Sequence, residues 1–469
     1  MRGGGARAAA LAALEGWLGR RGHTKQLLVA QPALRRLPVR ERALALELTH
    51  GVVRQLRTLR HLLRQLAGRP LERLERRALV SCLLGLYQLF YLERIPAHAA
   101  VHATVQLAGG RRRRGFVNAV LRRAARLLGP AHPAPPPGLA AERLLPVRAD
   151  RWRELGEPLL PDWRSGSPAA LGVAYSYPDA LVARWLRSFG RQRAERLLLA
   201  GNQPPPLFLR VNRLRCTREQ LLVELAESGI GARAWEPLPH AVLLPHGTEP
   251  GALPALVAGR CSVQDATAQE LTLLVEPVPG ERIADLCAAP GGKACYLAEL
   301  MDDRGEVLAC DRDPARLRHL EQAVRRLGLA CVRLHAGDVT TAAGRPAGPF
   351  DRVLVDAPCS NTGVLRRRPE ARWRFREQAL VELAALQLQL LETAAALVRP
   401  GGLVVYSTCS LEEEENRGVA MAFLARHPDW RPAGETLRLP EPDGPDGGYG
   451  VKLLAPAAVQ PGDGPAATA

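Results

Sequence analysis

Two cysteines and one carboxylate carry the most chemistry in this 469-residue sequence. Asp356 and Cys359 lie in Asp356-Ala-Pro-Cys359-Ser-Asn-Thr-Gly363, and Cys409 lies in Ser407-Thr-Cys409-Ser410. Each group closes a short apolar run, FDRVLVDAP or GGLVVYSTCS, and strand ends of this kind form the ligand crevice of an open parallel sheet. Cys82, Cys216, Cys310 and Cys331 read instead as small buried hydrophobes. A thiol pair beside a carboxylate suits alkylation of a pyrimidine at C5, a carbon too weakly nucleophilic to take a methyl group from a sulfonium directly. A thiolate adding to C6 makes C5 enamine-like and divides one hard step into easier ones. Asp356 would hold or protonate the N3 edge of the base. The second cysteine would assist loss of the C5 proton and expulsion of the thiolate. Residue chemistry alone lets either Cys359 or Cys409 be the attacking sulfur.

A second set of residues suits an adenosine-type ligand. Asp285-Leu-Cys287-Ala288-Ala289-Pro290-Gly291-Gly292-Lys293 follows the first run of the same series. Gly291 and Gly292 let backbone approach a ligand, and the helix expected next offers free N–H groups. The segment is not a P-loop, because Ala294 stands where Ser or Thr is required, and it is not G-x-G-x-x-G, which argues against a nicotinamide enzyme. Asp311 ends the second run and suits ribose hydroxyls. Asp338 ends the third, placed to meet an adenine edge. Any one of these aspartates could be only a helix N-cap, but glycines and acids at successive strand ends, with few cations, fit an adenosine without phosphate. The 9 cysteines show no C-x-x-C pair and no histidine at ligand spacing, so no metal site is expected.

The elements that must position these residues form an alternating strand–helix series over 261–456, the pattern of a mostly parallel, doubly wound α/β sheet. Residues 171–260 read as a smaller α+β domain. In it DALVARWLRSFG and TREQLLVELAESG are helical, and Leu207, Leu209 and Val211 alternate as on a half-buried strand. Residues 1–130 read as all-helical, with Leu79, Leu83, Leu86 and Phe90 on one stripe. AHPAPPPG (131–138) opens a Pro-rich linker expected over 131–170, and 457–469 is expected to be a disordered tail. The formal net charge is +17, but residues 1–130 alone carry 24 arginines and Lys25 against 6 glutamates and no aspartate, a net +19. Lysine occurs only at 25, 293 and 452, so the preference for arginine is compositional; the shortage of acids in one region is not. That asymmetry marks a polyanion-binding module. The opening MRGGGARAAALAALEGWL is interrupted by Glu15 and continues as helix, and no apolar run reaches membrane-spanning length. A soluble cytoplasmic monomer is expected.

At these residues the chain resembles the RsmB/Sun family of 16S ribosomal RNA cytosine-5 methyltransferases. DLCAAPGGK, DAPCSNTGVLRRRPEARWR and STCSLEEEEN are similar to that family's cofactor, motif-IV and motif-VI segments. RERALALELTHGVVR and GLYQLFYLERIPAHAAV…GFVNAVLRR resemble its NusB-like RNA-binding domain, and LFLRVNRL and SVQDATAQ its intermediate segments. The resemblance implies an all-α NusB-like domain, a small α+β domain and a Rossmann-like class I methyltransferase domain. It further implies S-adenosylmethionine as cofactor and small-subunit ribosomal RNA as partner. Cys287 to Lys293, Asp311, Asp338 and Asp356 would contact the cofactor or the base. Because the family assigns the attack to its Thr-Cys residue, whereas DNA enzymes use a Pro-Cys, Cys409 would be the nucleophile and Cys359 would aid product release. The sequence departs from the family at Asn361 (usually Gly), at Ala294 and Cys295 (usually Thr-Thr), at SYP 176–178 (usually SHP) and at DGGYG 446–450 (usually Asp-Gly-Phe-Phe). Two other readings are the same chemistry on transfer RNA or DNA, and a non-catalytic RNA-binding assembly factor. The NusB-like segment argues against the first, and intact Asp356, Cys359 and Cys409 against the second.

Overall fold

The computed structural model describes residues 5–20 and 24–457, and the chain divides into two compact units. From residue 458 onward the expected tail lies outside the described residues.

The first unit comprises residues 1–204 together with Leu365–Phe375. It begins with helices α1 (Ala6–Arg20), α2 (Thr24–Val29), α3 (Val39–Arg54), α4 (Leu56–Ala67), α5 (Arg76–Tyr91), α6 (Ala97–Leu107) and α7 (Arg111–Arg126). Helix α5 is the hub: Leu83, Leu86 and Phe90 are fully buried and Leu79 packs at the margin, as their spacing predicts. Small residues let its neighbours close in. A Cβ at Gly85 would sit 2.4 Å from the Leu121 side chain of α7, and one at Gly51 of α3 would sit 2.0 Å from the Tyr87 ring. Four arginines, Arg111 to Arg114, occupy the first turn of α7, where their charge opposes the helix dipole. Helix stability therefore does not account for them.

The segment expected as a linker is folded. β1 (Leu128–His132), β2 (Leu144–Arg148) and β3 (Arg151–Leu155) form an antiparallel sheet in the order β1-β3-β2. The prolines at 133 and 135–137 sit in the β1–β2 connection, and Pro130 and Pro146 lie on the two edge strands, where a missing donor is tolerated. Leu145, Val147 and Leu155 then join the helical core. After α8 (Pro168–Tyr175), capped by the Ser167 hydroxyl, α9 (Asp179–Ala200) is broken at Gly190 (φ 72°), where the helix expected over DALVARWLRSFG ends. Leu365–Phe375 belongs to this unit through Arg372. Its guanidinium is fully buried, donates to the carbonyls of Arg54 (3.2 Å), Ser176 (3.1 Å) and Gly201 (2.9 Å) and to Asn202 Oδ1 (2.9 Å), and lies 4.0 Å over the Tyr177 ring.

In the second unit, residues 205–364 and 376–469, four strands form an antiparallel sheet. β4 (Leu207–Val211), α10 (Arg218–Glu227), β5 (Arg233–Ala234), β6 (Ala241–Leu244), α11 (Pro254–Val257) and β7 (Cys261–Val263) follow in the chain, and the sheet order is β5-β6-β4-β7. The α+β region expected as one domain over 171–260 is thus shared: α8 and α9 lie in the first unit, and α10, α11 and the strands in the second. Strand β4 is not half-buried, because Phe208 and Arg210 on its other face are buried too. Arg210 pairs with the equally buried Glu299 (2.6 Å) and donates to Gly292 O (2.6 Å).

The same unit continues with α12 (Ala266–Leu273), β8 (Arg282–Asp285), α13 (Gly292–Leu300), β9 (Glu306–Asp311), α14 (Pro314–Leu327), β10 (Val332–Ala336) and β11 (Phe350–Asp356). It ends with α15 (Glu377–Leu397), β12 (Val398–Thr408), α16 (Arg417–Arg426), β13 (Arg431–Arg438) and β14 (Gly448–Leu454). The sheet order is β10-β9-β8-β11-β12-β14-β13, parallel as far as β12, with β14 antiparallel to both its neighbours. Alternate strand residues are buried on both faces: Ile283, Val307, Leu354 and Val405 pack with α13 and α14, and Val353, Val355, Val404 and Tyr406 with α15 and α16. Among the described residues one helix, α15, is long and apolar enough to cross a membrane. Its Leu390, Leu391, Ala394 and Leu397 belong to the core beneath the sheet. The chain runs outward from β8 to β10 and then returns to β11 beside β8, so the switch point lies between β8 and β11.

Candidate active site

The β8–α13 loop is shaped by its glycine. Gly291 has φ 106°, and a Cβ there would lie 2.1 Å from Leu320, so only glycine fits. Ala288 and Ala289 are buried and present backbone, whereas Pro290 and Gly292 are exposed and Cys287 is half-buried. Asp285 is fully buried at the end of β8: one oxygen accepts from Cys287 N–H (3.3 Å), and the other has no partner among the described residues. Burial, reinforced by Asp356, pushes its carboxyl up to about 7. Asp311, at the end of β9, accepts from the N–H groups of Ala289 (3.2 Å) and Asp313 (2.9 Å) and pairs with Arg316 (3.0 Å). Asp338, beyond β10, is exposed; one oxygen accepts from Thr340, which holds its carboxyl below the usual range.

The cysteines come from the next two strand ends. Asp356 of β11 and Ser407 of β12 are paired in register, and Cys359 and Cys409 follow them. The two sulfurs are 3.3 Å apart. The contact with Cys409 and burial push the Cys359 thiol well above its ordinary value. Lys293 is turned inward, where its ammonium donates to Asp356 Oδ1 (2.6 Å) and Ser407 Oγ (2.8 Å). Asn361 has φ 63°, the left-handed region that favours Gly or Asn, which accounts for Asn in a glycine position. Its amide donates to Cys359 O (2.6 Å), and its oxygen lies 3.5 Å from Cys409 Sγ. Gly363 bonds Cys409 O (2.9 Å) and Gly447 N–H (2.9 Å), and a Cβ there would strike both backbones.

One carboxylate ties the two loops together. Glu415, fully buried, accepts from Ser360 N–H (2.8 Å), Gln387 (3.0 Å), Ser410 Oγ (2.5 Å) and the Ser360 hydroxyl.

Comparison with known proteins gives this arrangement its family. Residues 272–458 match the family of 16S rRNA methyltransferase RsmB/F, residues 5–126 the NusB family, and residues 177–249 the RsmF/B-like ferredoxin-like domain. The probable ribosomal RNA small subunit methyltransferase B of a Synechocystis strain is 38% identical over 83% of this chain and 82% of its own. The Sodalis glossinidius ribosomal RNA small subunit methyltransferase B is 37% identical over 89% and 90%. The chain belongs to the RsmB/F family. The crystal structure of PH0851 shares its fold, with a TM-score of 0.76 at 23% identity, covering 97% of this chain and 99% of that one. A methyltransferase homolog from Pyrococcus horikoshii is 27% identical with a TM-score of 0.55, covering 62% of this chain and 99% of its own.

As an RsmB/F protein the chain is a methyltransferase, and its cofactor is S-adenosylmethionine. The residues present fit that group: a glycine cradle, acids at three successive strand ends, and an unpartnered buried oxygen on Asp285 that lacks a donor. Asp285 and Glu415 were not singled out by sequence reasoning. Asp285 was legible as the acid opening DLCAAPGGK, but Glu415 is one of four consecutive glutamates, and only its burial distinguishes it from exposed Glu413 and Glu414. The departure at 446–450 keeps an aromatic: Tyr449 is buried edge-on against Tyr406, with ring centres 6.4 Å apart.

Proposed function

We propose that the protein methylates C5 of a cytosine in 16S ribosomal RNA through a covalent bond between Cys409 and C6. The sulfur contact carries this reading: at 3.3 Å both sulfurs face one base in the same crevice, and the contact with Cys409 and burial push the Cys359 thiol up, which suits it to keep its proton. Cys409 is then the sulfur free to attack, and the forming S–C6 bond pushes the ring electrons toward N3. Asp356, held by Lys293 and Ser407, contacts the N3 edge and relays to it a proton from the Lys293 ammonium that it touches. S-adenosylmethionine, when bound, supplies the methyl group. Afterwards C5 gives up its proton to water in the crevice, the C5–C6 double bond re-forms as the S–C6 bond breaks, Cys359 donates a hydrogen bond to the departing sulfur, and N3 returns its proton through Asp356.

Both target carbons are hidden inside a helix, so the base must be unpaired or flipped. The basic helical domain holds the RNA backbone, and the names of the relatives support small-subunit ribosomal RNA as substrate, methylated in the cytoplasm. The test is transfer of labelled methyl to unmodified 16S ribosomal RNA and to transfer RNA, with the product nucleoside identified. Label recovered as 5-methylcytidine from 16S RNA is expected. Label confined to transfer RNA, or on another atom, would overturn the reading.

A further inference from the structure

The first unit contains a cavity of about 490 Å³, within the usual size of small-ligand sites. Trp17 of α1 and Trp373 of the 365–375 segment line it with Leu56 and Val173, and Arg60 and Arg64 of α4 lie four residues apart on the same helix face. The other cationic groups are committed. Arg57 bonds Asp179 (2.5 Å) and Tyr177 O (2.6 Å). His61 bonds Leu159 O (3.0 Å), and burial with nearby arginines holds it below its ordinary value, hence neutral. Arg60 has only Glu72, at 3.9 Å, and exposed Arg64 pairs with no acid among the described residues. The Trp373 indole N–H already donates to Val53 O (2.7 Å), so the ring face is what Trp373 offers a ligand. Trp17 is buried, and its indole N–H has no partner among the described residues.

Aromatic faces beside uncommitted arginines are the pairing that binds single-stranded nucleic acid: rings stack on the base and cations take the phosphates. We infer that this cavity takes one unpaired nucleotide of the RNA, its base against Trp373 and its phosphates on Arg60 and Arg64. The inference rests on the reading that the basic helical domain holds RNA, and assigns the contact to this cavity rather than to the arginine run at the start of α7.

The test titrates the full chain with a fluorescein-labelled single-stranded RNA of mixed sequence and with its duplex. Variants are Arg60→Gln/Arg64→Gln, Trp373→Phe and Arg111→Gln/Arg112→Gln, each first shown to melt like the wild type. The Arg60/Arg64 variant should bind the single strand about tenfold more weakly. Its log–log salt slope should be shallower by about 1.4, roughly 0.7 for each lost phosphate contact. The wild-type tryptophan emission should be quenched by the single strand more than by the duplex, and the quench should shrink in Trp373→Phe. If Arg60→Gln/Arg64→Gln binds like the wild type while Arg111→Gln/Arg112→Gln does not, the RNA lies on α7; the cavity proposal then fails and the domain's role stands. If neither pair affects binding, both fail.

Discussion

The Asp285 carboxylate is shut away from water at the end of β8, and burial sets its proton affinity. Folded Asp285 titrates at about 7 against 3.8 for the free group, so the folded state binds this proton more tightly. Its contribution to stability is therefore full below about pH 4 and is lost as pH rises through 7. Asp285→Asn removes that loss. Between pH 5 and 8 its unfolding free energy should fall less than the wild type's, by up to about 2.6 kcal/mol, which denaturant melts at several pH values will measure. The same substitution should weaken binding of cationic S-adenosylmethionine, while wild-type affinity rises with pH. Equal affinity in both proteins at pH 8 would remove Asp285 from the cofactor site. The residue types at this scale were legible: glycines, acids and cysteines at strand ends. Which acid is buried, and which sulfur keeps its proton, depends on neighbours brought in by strand pairing, such as Asp356 beside Asp285.

The elements deliver the cysteines on two loops that would otherwise move independently, and Glu415 fastens one to the other through Ser360 and Ser410. Glu415→Ala should lower kcat about a hundredfold, the scale of an ångström's misplacement, with cofactor affinity unchanged. Glu415→Gln should recover part of the rate, because its amide oxygen still accepts from Ser360 N–H. Steady-state kinetics with a cofactor titration separate the two; a twofold effect in Glu415→Ala would leave the clamp without a role. The alternation of apolar runs made the parallel sheet readable, since both faces of such strands are buried. Residues 131–170 misled because proline density dominates their composition, whereas Leu145, Val147 and Leu155 decide their packing. A run of glutamates reads as a solvated face until helix and strand bury two of them, Glu412 and Glu415.

At the scale of the whole molecule, the arginines divide into those that bind and those that build. Arg372 builds: replacing it with Met would leave buried carbonyls of Arg54, Ser176 and Gly201 without donors. The cost should be about 3 kcal/mol, at one to three per orphaned group partly relieved by relaxation, seen as a lower urea midpoint. The arginine excess of residues 1–130 is proposed to bind RNA, so affinity for 16S RNA should fall steeply with salt; a flat salt dependence would contradict that role. Charge asymmetry exposed this division in the sequence, but a buried structural arginine such as Arg372 looks there like any other member of RRRPEARWR. If Cys409 attacks and Cys359 releases, removing each sulfur should stop the reaction at a different step. The direct measurement is denaturing gel analysis of Cys409→Ala and Cys359→Ala after incubation with 16S RNA and labelled S-adenosylmethionine. An RNA–protein adduct should accumulate in Cys359→Ala and be absent, along with methyl transfer, in Cys409→Ala. An adduct and product formed by Cys409→Ala but not by Cys359→Ala would contradict it.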